Sequence, residues 1–213
     1  MEVHGKNCEE AWKNVMRHVF KEGKDFVDKD GRTCRELLNV VVVIKDAGDI
    51  TKPIEMINSF RKWVYPSLEE LESVMLSKKE IPGYYYNYGA RNFNFNGINQ
   101  MDDYIVPLLK KDKSTRRATI VFYDPSRDSS MHKKDIPGMI CINFNVRDNK
   151  LNVTAVVRSN DLFFGWPANI YQTFVLQNYL AKKIGCKIGA ITTMSISAHI
   201  FEDHFEYLAK IIN

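Results

Sequence analysis

The stretch from Leu151 to Gly185 limits the fold more than any other part of the chain. LNVTAVV, residues 151–157, alternates and reads as a strand. The polar run Arg158-Ser159-Asn160-Asp161 stands at the end of that strand, and FFGWPAN follows it. NIYQTFVLQNYLAKKIG is then the longest helical pattern in the chain, ending at Gly185 just after Lys182 and Lys183. A strand leading into a long helix, set among the other strand patterns, reads as a layered α+β domain built on a mixed sheet.

The remaining patterns agree. EEAWKNVMRHVF, residues 9–20, places Trp12, Val15, Met16, Val19 and Phe20 at helical spacing. The charged turn KDGR, residues 29–32, precedes LLNVVVVIKD, whose unbroken aliphatic run predicts a strand covered on both faces. Residues 67–79 predict a helix capped by Ser67 with Glu70 three positions on, closed by two lysines. YYYNYGARNFNFNGIN, residues 84–99, reads either as edge strands and turns or as the wall of a ligand pocket. Residues 101–110 read as a helix in spite of Pro107. TRRATIVFYD and PGMICINFNV read as strands, the second forming a hairpin with 151–157 across the turn RDNK. A strand, ITTMSISAHI, and a short helix complete the pattern. No repeat or linker divides the 213 residues, so a single domain over 1–213 is expected.

Composition narrows the function. Thirty Lys and Arg against twenty-six Asp and Glu give +4, too mild and too dispersed for a nucleic-acid coat but compatible with a local anion pocket. No aliphatic run approaches the ~20 residues that span a bilayer, and MEVHGKNCEEAW has no apolar signal region, so a soluble cytoplasmic protein is expected. Four cysteines without a CxxC pair and five dispersed histidines argue against a disulfide framework or a metal site.

Three local groups carry possible chemistry. Arg116 and Arg117 stand together before a strand, and paired guanidinium forks suit a phosphate dianion as well as they suit solvent. Arg158 and Ser159 offer a cation beside a hydroxyl, while Asp161 and Asn169 can pair with a heterocycle or simply cap the long helix. Ser197-Ala198-His199 ends a strand.

Together these pieces resemble the thymidylate synthase family. RSNDLFFGWPANIYQ is similar to its R-S-x-D-x-x-x-G-x-P-x-N signature, SAHIF to its D-A-H-x-Y, STRRATIVFYDP to its paired-arginine motif and YNYGARNF to its Y-G-x-x-W/F segment. The short chain and DGRTCRELLNVVVVIKD look most like the compact archaeal-type synthases, with phage nucleotide hydroxymethylases more distant. The resemblance implies a mixed β-sheet packed on a long buried helix and a homodimer across the sheet face, with Ile140 and Ile142 or their opposite-parity neighbours at the contact. It implies that Arg158 and Ser159 bind the 5′-phosphate of a pyrimidine nucleoside monophosphate, joined by the partner copy's arginines at 116 and 117 and by Arg32. Asn169 would read the base edge and favour uracil, Asp161 would face a pterin, and His199 would hold the sugar, without the family's tyrosine because Phe201 stands there. Tyr88 would belong to the nucleotide site, and Glu70 would organise proton transfer. The implied co-substrate is 5,10-methylene-tetrahydrofolate or methylene-tetrahydromethanopterin, with no metal and no nucleic-acid or membrane partner.

One departure dominates. The family's nucleophile lies twenty residues before the motif arginine, in P-C-H-x-x-x-Q-F, and here that stretch reads Pro137-Gly138-Met139-Ile140-Cys141-Ile142-Asn143-Phe144. The thiolate that would add to carbon 6 of the base and make carbon 5 nucleophilic is missing. Cys141 lies at odd separation along the strand, which predicts a small buried hydrophobe facing away from the base. Two functions follow: C5 one-carbon transfer by an altered mechanism, or a nucleotide-binding homologue without the parent reaction.

Overall fold

A computed structural model describes residues 1–133 and 135–212. The elements begin β1 (Glu2–Gly5), α1 (Cys8–Glu22), β2 (Lys24–Val27), β3 (Thr33–Ile44), α2 (Lys52–Ser59), α3 (Leu68–Leu76) and α4 (Tyr88–Phe93). After a π-helical turn at Gln100–Ile105 come α5 (Val106–Lys111), β4 (Thr119–Val121), α6 (Pro125–Asp128) and β5 (Met139–Arg147). Then follow β6 (Lys150–Asp161), α7 (Gly165–Ile184), β7 (Lys187–Phe201), a 3₁₀ turn and α8 (Phe205–Ile212). The class is mixed α+β, and the chain forms two compact units.

The first unit comprises Met1–Tyr65, Val157–Tyr171 and Ala190–Asn213. Its strands lie in the order β1-β3-β7-β6, with β2 added to β3. β1 runs parallel to β3, and β7 antiparallel, pairing Ile44 with Ile191 and Glu36 with His199. α1 starts where the Asn7 side chain accepts the Glu10 N–H at 2.9 Å, and Asp49 receives the N–H groups of Cys8 and Glu9. Its apolar stripe is buried at Trp12, Val15, Met16 and Val19, as the spacing predicts; Phe20 is only half-buried. The Trp12 indole N–H donates to Leu162 O at 2.7 Å, so this large side chain is buried without an orphan donor. β3 departs from expectation: Val40, Val42 and Ile44 are buried, but Leu38 is 60% exposed and Asn39 adopts φ +56°. The left-handed residue interrupts the strand's regular alternation, and one face stays open.

The second unit comprises Pro66–Val156 and Gln172–Gly189, and its strands run β6-β5-β4. The β5–β6 hairpin turns at Asp148 and Asn149, at φ +50° and +56°, the backbone a two-residue primed turn demands. Ser67 and Glu70 form the expected reciprocal capping box, but α3 stops at Leu76, before the two lysines. Residues 84–99 hold neither edge strand: α4 occupies the centre, and only Phe95 and Ile98 form an isolated bridge. Gly89 explains the helix. A Cβ there would lie 2.3 Å from Ser77 O, so only glycine permits α4 to approach the end of α3 this closely. Pro107 lies where the π-helical turn passes into α5, at the second position of that helix. α7 begins at Gly165, earlier than its pattern suggests, and Gly185 follows it at φ +66°.

Candidate functional site

In the first unit the end of β6 presents Arg158 half-buried and Ser159 exposed. Asp161 turns back to accept the N–H groups of Phe163 and Phe164 at 2.9 and 3.3 Å, which fixes the turn into α7. Burial drives its carboxyl up to about 6, against those N–H groups and the charge of Arg32, which pull it down. A carboxyl tuned near 6 can hold or release a proton near neutral pH.

Behind Asp161 lies a polar line through the core. Asn169 Nδ2 donates to Asn160 Oδ1 at 3.2 Å, and Asn160 Nδ2 donates to Ser195 Oγ at 3.0 Å. The start of α7 is held by the Trp166 indole N–H, which donates to Thr193 Oγ1 at 3.0 Å. On β7, Ser197 donates its hydroxyl to Glu36 and lies 3.4 Å from Nδ1 of His199. Burial lowers the His199 pKa, and Glu36 opposes that shift. Phe201 presents its ring to Arg32, whose guanidinium carbon lies 3.9 Å from the centroid, while Arg32 also pairs with Asp28 at 3.2 Å. Beside these stands an aromatic group: His204 stacks on Phe163 at 4.5 Å, and Trp63 meets Phe163, Phe164, His204 and Tyr207 edge-on. Burial lowers the His204 pKa to about 4, and its Nδ1 is buried with no hydrogen-bond partner among the described residues.

In the second unit Arg116 and Arg117 are both exposed. Arg116 lines an open cavity of about 720 Å³ with Lys113, Ser114, Arg147 and Asp148, so its cations share the lining with a carboxylate. Gly138 is half-buried just before β5, and the next residue, Met139, donates its N–H to the Tyr88 hydroxyl at 3.2 Å. Tyr88 is buried and packs edge-on against Phe122 at 4.8 Å. Cys141 is half-buried, more open than a core hydrophobe, because β4 pairs it with the exposed Val121. Burial raises its thiol pKa, which keeps it protonated at neutral pH. Glu70 is exposed, and its carboxylate accepts the Ser67 N–H at 2.7 Å.

The unit containing residues 157–171 and 190–213 contains Arg158, Ser159, Asp161, Asn169, His199 and Arg32, while Arg116, Arg117, Tyr88, Gly138 and Glu70 belong to the other. Sequence reasoning missed Glu36, because its role comes from cross-strand register, and it read Asn160 only as a turn residue. Among the described residues no cluster of His, Cys, Asp or Glu could hold a metal ion, and no helix is long and apolar enough to cross a membrane.

Known proteins match nearly all of the chain. The thymidylate synthase family model covers residues 75–213. A provisionally named thymidylate synthase of Methanosarcina mazei is 31% identical over 99% of this chain and 94% of its own length. A similarly named protein of Methanothermobacter marburgensis is 32% identical over 95% of this chain and 94% of its own. The deoxyuridylate hydroxymethyltransferase of Bacillus phage SP01 is 26% identical over 97% of this chain, though over only 60% of its own. On the extent of these matches, added to the RSND turn and the residues around it, the chain belongs to the thymidylate synthase family.

Proposed function

We propose that this protein binds a dUMP-like pyrimidine nucleoside 5′-monophosphate and a reduced pterin, and that its ancestral chemistry is one-carbon transfer to carbon 5 of the base. Arg158 and Ser159 take the phosphate, with Arg32 and the arginines at 116 and 117 of a second copy; Asn169 takes the base edge and His199 the sugar. Asp161 faces the pterin, which is methylene-tetrahydrofolate or methylene-tetrahydromethanopterin. One observation carries the reading: the end of β6 holds Arg158, Ser159 and Asp161 together, and Asn169 on α7 donates to Asn160 beside them. In this reading the chain acts as one thymidylate synthase-like domain with the long helix α7 at its core, working in the cytoplasm. It pairs with a second copy across the sheet. Leu38, Met194 and Ile196 leave apolar surface exposed on β3 and β7, which supports that pairing. Ile142 is fully buried within the protomer, which favours its neighbours of opposite parity for that contact.

The nucleophile position favours a second reading, in which binding persists and the parent reaction does not. Losing a covalent nucleophile costs roughly 10⁴–10⁶ in rate, or about 5–8 kcal/mol of barrier. Gly138 has no group to restore it, and the Cys141 thiol is held protonated. Calorimetry with dUMP tests the shared part, and no binding of any pyrimidine monophosphate would overturn both readings. Incubation with dUMP and labelled methylene-pterin separates them: label in the base supports transfer, and binding without label supports the altered homologue.

A further inference from the structure

We propose that Phe201 is a positioning residue for phosphate recognition: its ring seats the Arg32 guanidinium, so that a ligand bearing a 5′-phosphate finds this cation already ordered. The inference deepens the reading in which Arg32 takes the phosphate, and rests on it.

Arg32 stands just before β3, two residues ahead of Cys34, and Cys34 pairs with Phe201 in the antiparallel β3–β7 ladder. Residues two apart share a face, and diagonal neighbours across a ladder lie within reach of long and aromatic side chains. The guanidinium carbon accordingly lies 3.9 Å from the centroid of the Phe201 ring. Its Nε–Nη2 edge is taken by Asp28, which offers a single oxygen, Oδ2, at 3.2 Å to both nitrogens. The other oxygen of Asp28 accepts the backbone N–H groups of Asp30 and Arg32, each at 2.9 Å. The Nη1 corner of the fork takes no part in these bonds, and it carries two of the five N–H donors.

The two partners hold Arg32 in different ways. The Arg32 side chain is 54% exposed, so fixing it costs rotamer entropy, and ordering it before the ligand arrives removes that cost from binding. A single carboxylate oxygen ties one edge of the fork and lets its plane swing. The ring fixes the plane. Asp28 also offsets the positive charge, whereas an aromatic face holds a cation without neutralising it and leaves the charge for an anion. Phe201 is itself set by His199, which meets it edge-on at 5.1 Å. The Leu162 N–H donates to His199 O at 2.8 Å, which lays the end of β6, with Arg158 and Ser159, beside this part of β7. The charge of Arg32 is felt there: burial pushes the Asp161 carboxyl up, and Arg32 is among the groups that pull it down.

Titration calorimetry of the full chain with dUMP, and with deoxyuridine by displacement of dUMP, tests the proposal. The proteins are wild type, Phe201→Leu, Phe201→Met, Phe201→Tyr, and Arg32→Ala with and without F201L, each checked for folding by circular dichroism. Wild type should favour dUMP over the nucleoside by about a hundredfold or more, because a phosphate accepts several charge-assisted bonds. F201L and F201M should reduce that ratio about two- to fivefold, the worth of an exposed cation–π contact. F201Y keeps the ring and should keep the ratio. In the R32A protein, adding F201L should leave the ratio where R32A alone puts it. F201M carries the test if F201L does not fold. A purely structural ring would weaken both ligands alike and leave the ratio unchanged, and that outcome overturns the proposal. So does a fall in the ratio that persists undiminished in the R32A protein. A wild type that binds neither ligand, or binds both alike, overturns the phosphate reading itself, and this inference falls with it.

Discussion

Glu36 and His199 face each other across the β3–β7 ladder, and Ser197 joins them, donating its hydroxyl to Glu36 and lying 3.4 Å from Nδ1 of His199. Burial lowers the imidazole pKa and the Glu36 carboxylate opposes it. Replacing Glu36 with Gln removes the opposing charge, so the His199 titration midpoint should move further down. Ring-proton NMR across pH reads this directly, and an unchanged midpoint would show that the carboxylate does not reach the ring.

His204 should make the protein sensitive to acid. Its folded pKa, about 4, lies below the ordinary value of 6.5, so the unfolded chain binds a proton in that window that the folded chain does not. Its contribution is whole above pH 6.5 and is lost as pH falls toward 4. His204→Phe keeps a ring on Phe163 without the proton. Its melting temperature should fall less than that of wild type between pH 7 and pH 4.5, by a few degrees.

Asp161 acts in the opposite sense. Its folded pKa, about 6, exceeds the ordinary 3.8, so the folded state holds the extra proton and stability declines as pH rises from about 4 to 6. Asp161→Asn should therefore raise the melting temperature at pH 8 by a few degrees and change little at pH 4. No gain at pH 8 would mean that the carboxylate is better solvated than its surroundings indicate. Because this group and His204 oppose each other, the wild-type profile conceals two slopes that the single variants separate.

Arg91 and Asp128 form an ion pair whose side chains are 5% and 0% exposed, with further hydrogen bonds from Arg91 to Phe122 O and from the Asp124 N–H to Asp128. Burial alone would raise the Asp128 carboxyl, yet Arg91 and the Asp124 N–H bring it down to about 2. Asp128→Asn strands a buried guanidinium, which should cost about 3–5 kcal/mol. In urea the midpoint should drop by about 1–3 M at ordinary slopes. A midpoint unchanged within error would mean that water replaces the lost partner.

Restoring the thiol gives a chemical readout. Adding sulfur to carbon 6 makes carbon 5 an enolate, so its hydrogen exchanges with solvent. Gly138→Cys should speed release of tritium from [5-³H]dUMP above the wild-type rate, with no pterin present. Equal rates in a variant that still binds dUMP would place residue 138 out of reach of the base.

What the sequence made legible was local. The Ser67–Glu70 box, the Asp148-Asn149 turn and the α1 stripe each depend on residues a few positions apart, and each formed. Of the two readings for residues 84–99, the edge strands fail because the packing of Gly89 against Ser77 decides that segment, while the pocket wall agrees with a cavity of about 460 Å³ lined by Tyr86, Asn87, Ala90, Arg91 and Asn94. In the candidate site the charged motifs were visible as letters. Glu36 opposite His199 and Ser195 behind Asn160 exist only through long-range register, which spacing along a chain does not encode.

The order of the first unit's strands has a consequence for biogenesis. β7 sits between β3 and β6, and it joins Ile44 to Ile191, across most of the polypeptide. During synthesis β3 can pair along one edge with β1 and β2, but its other edge must wait for β7, which emerges far later. Loops this long close slowly. Until translation reaches β7, that edge of β3 stays an unpaired template for wrong strand pairing.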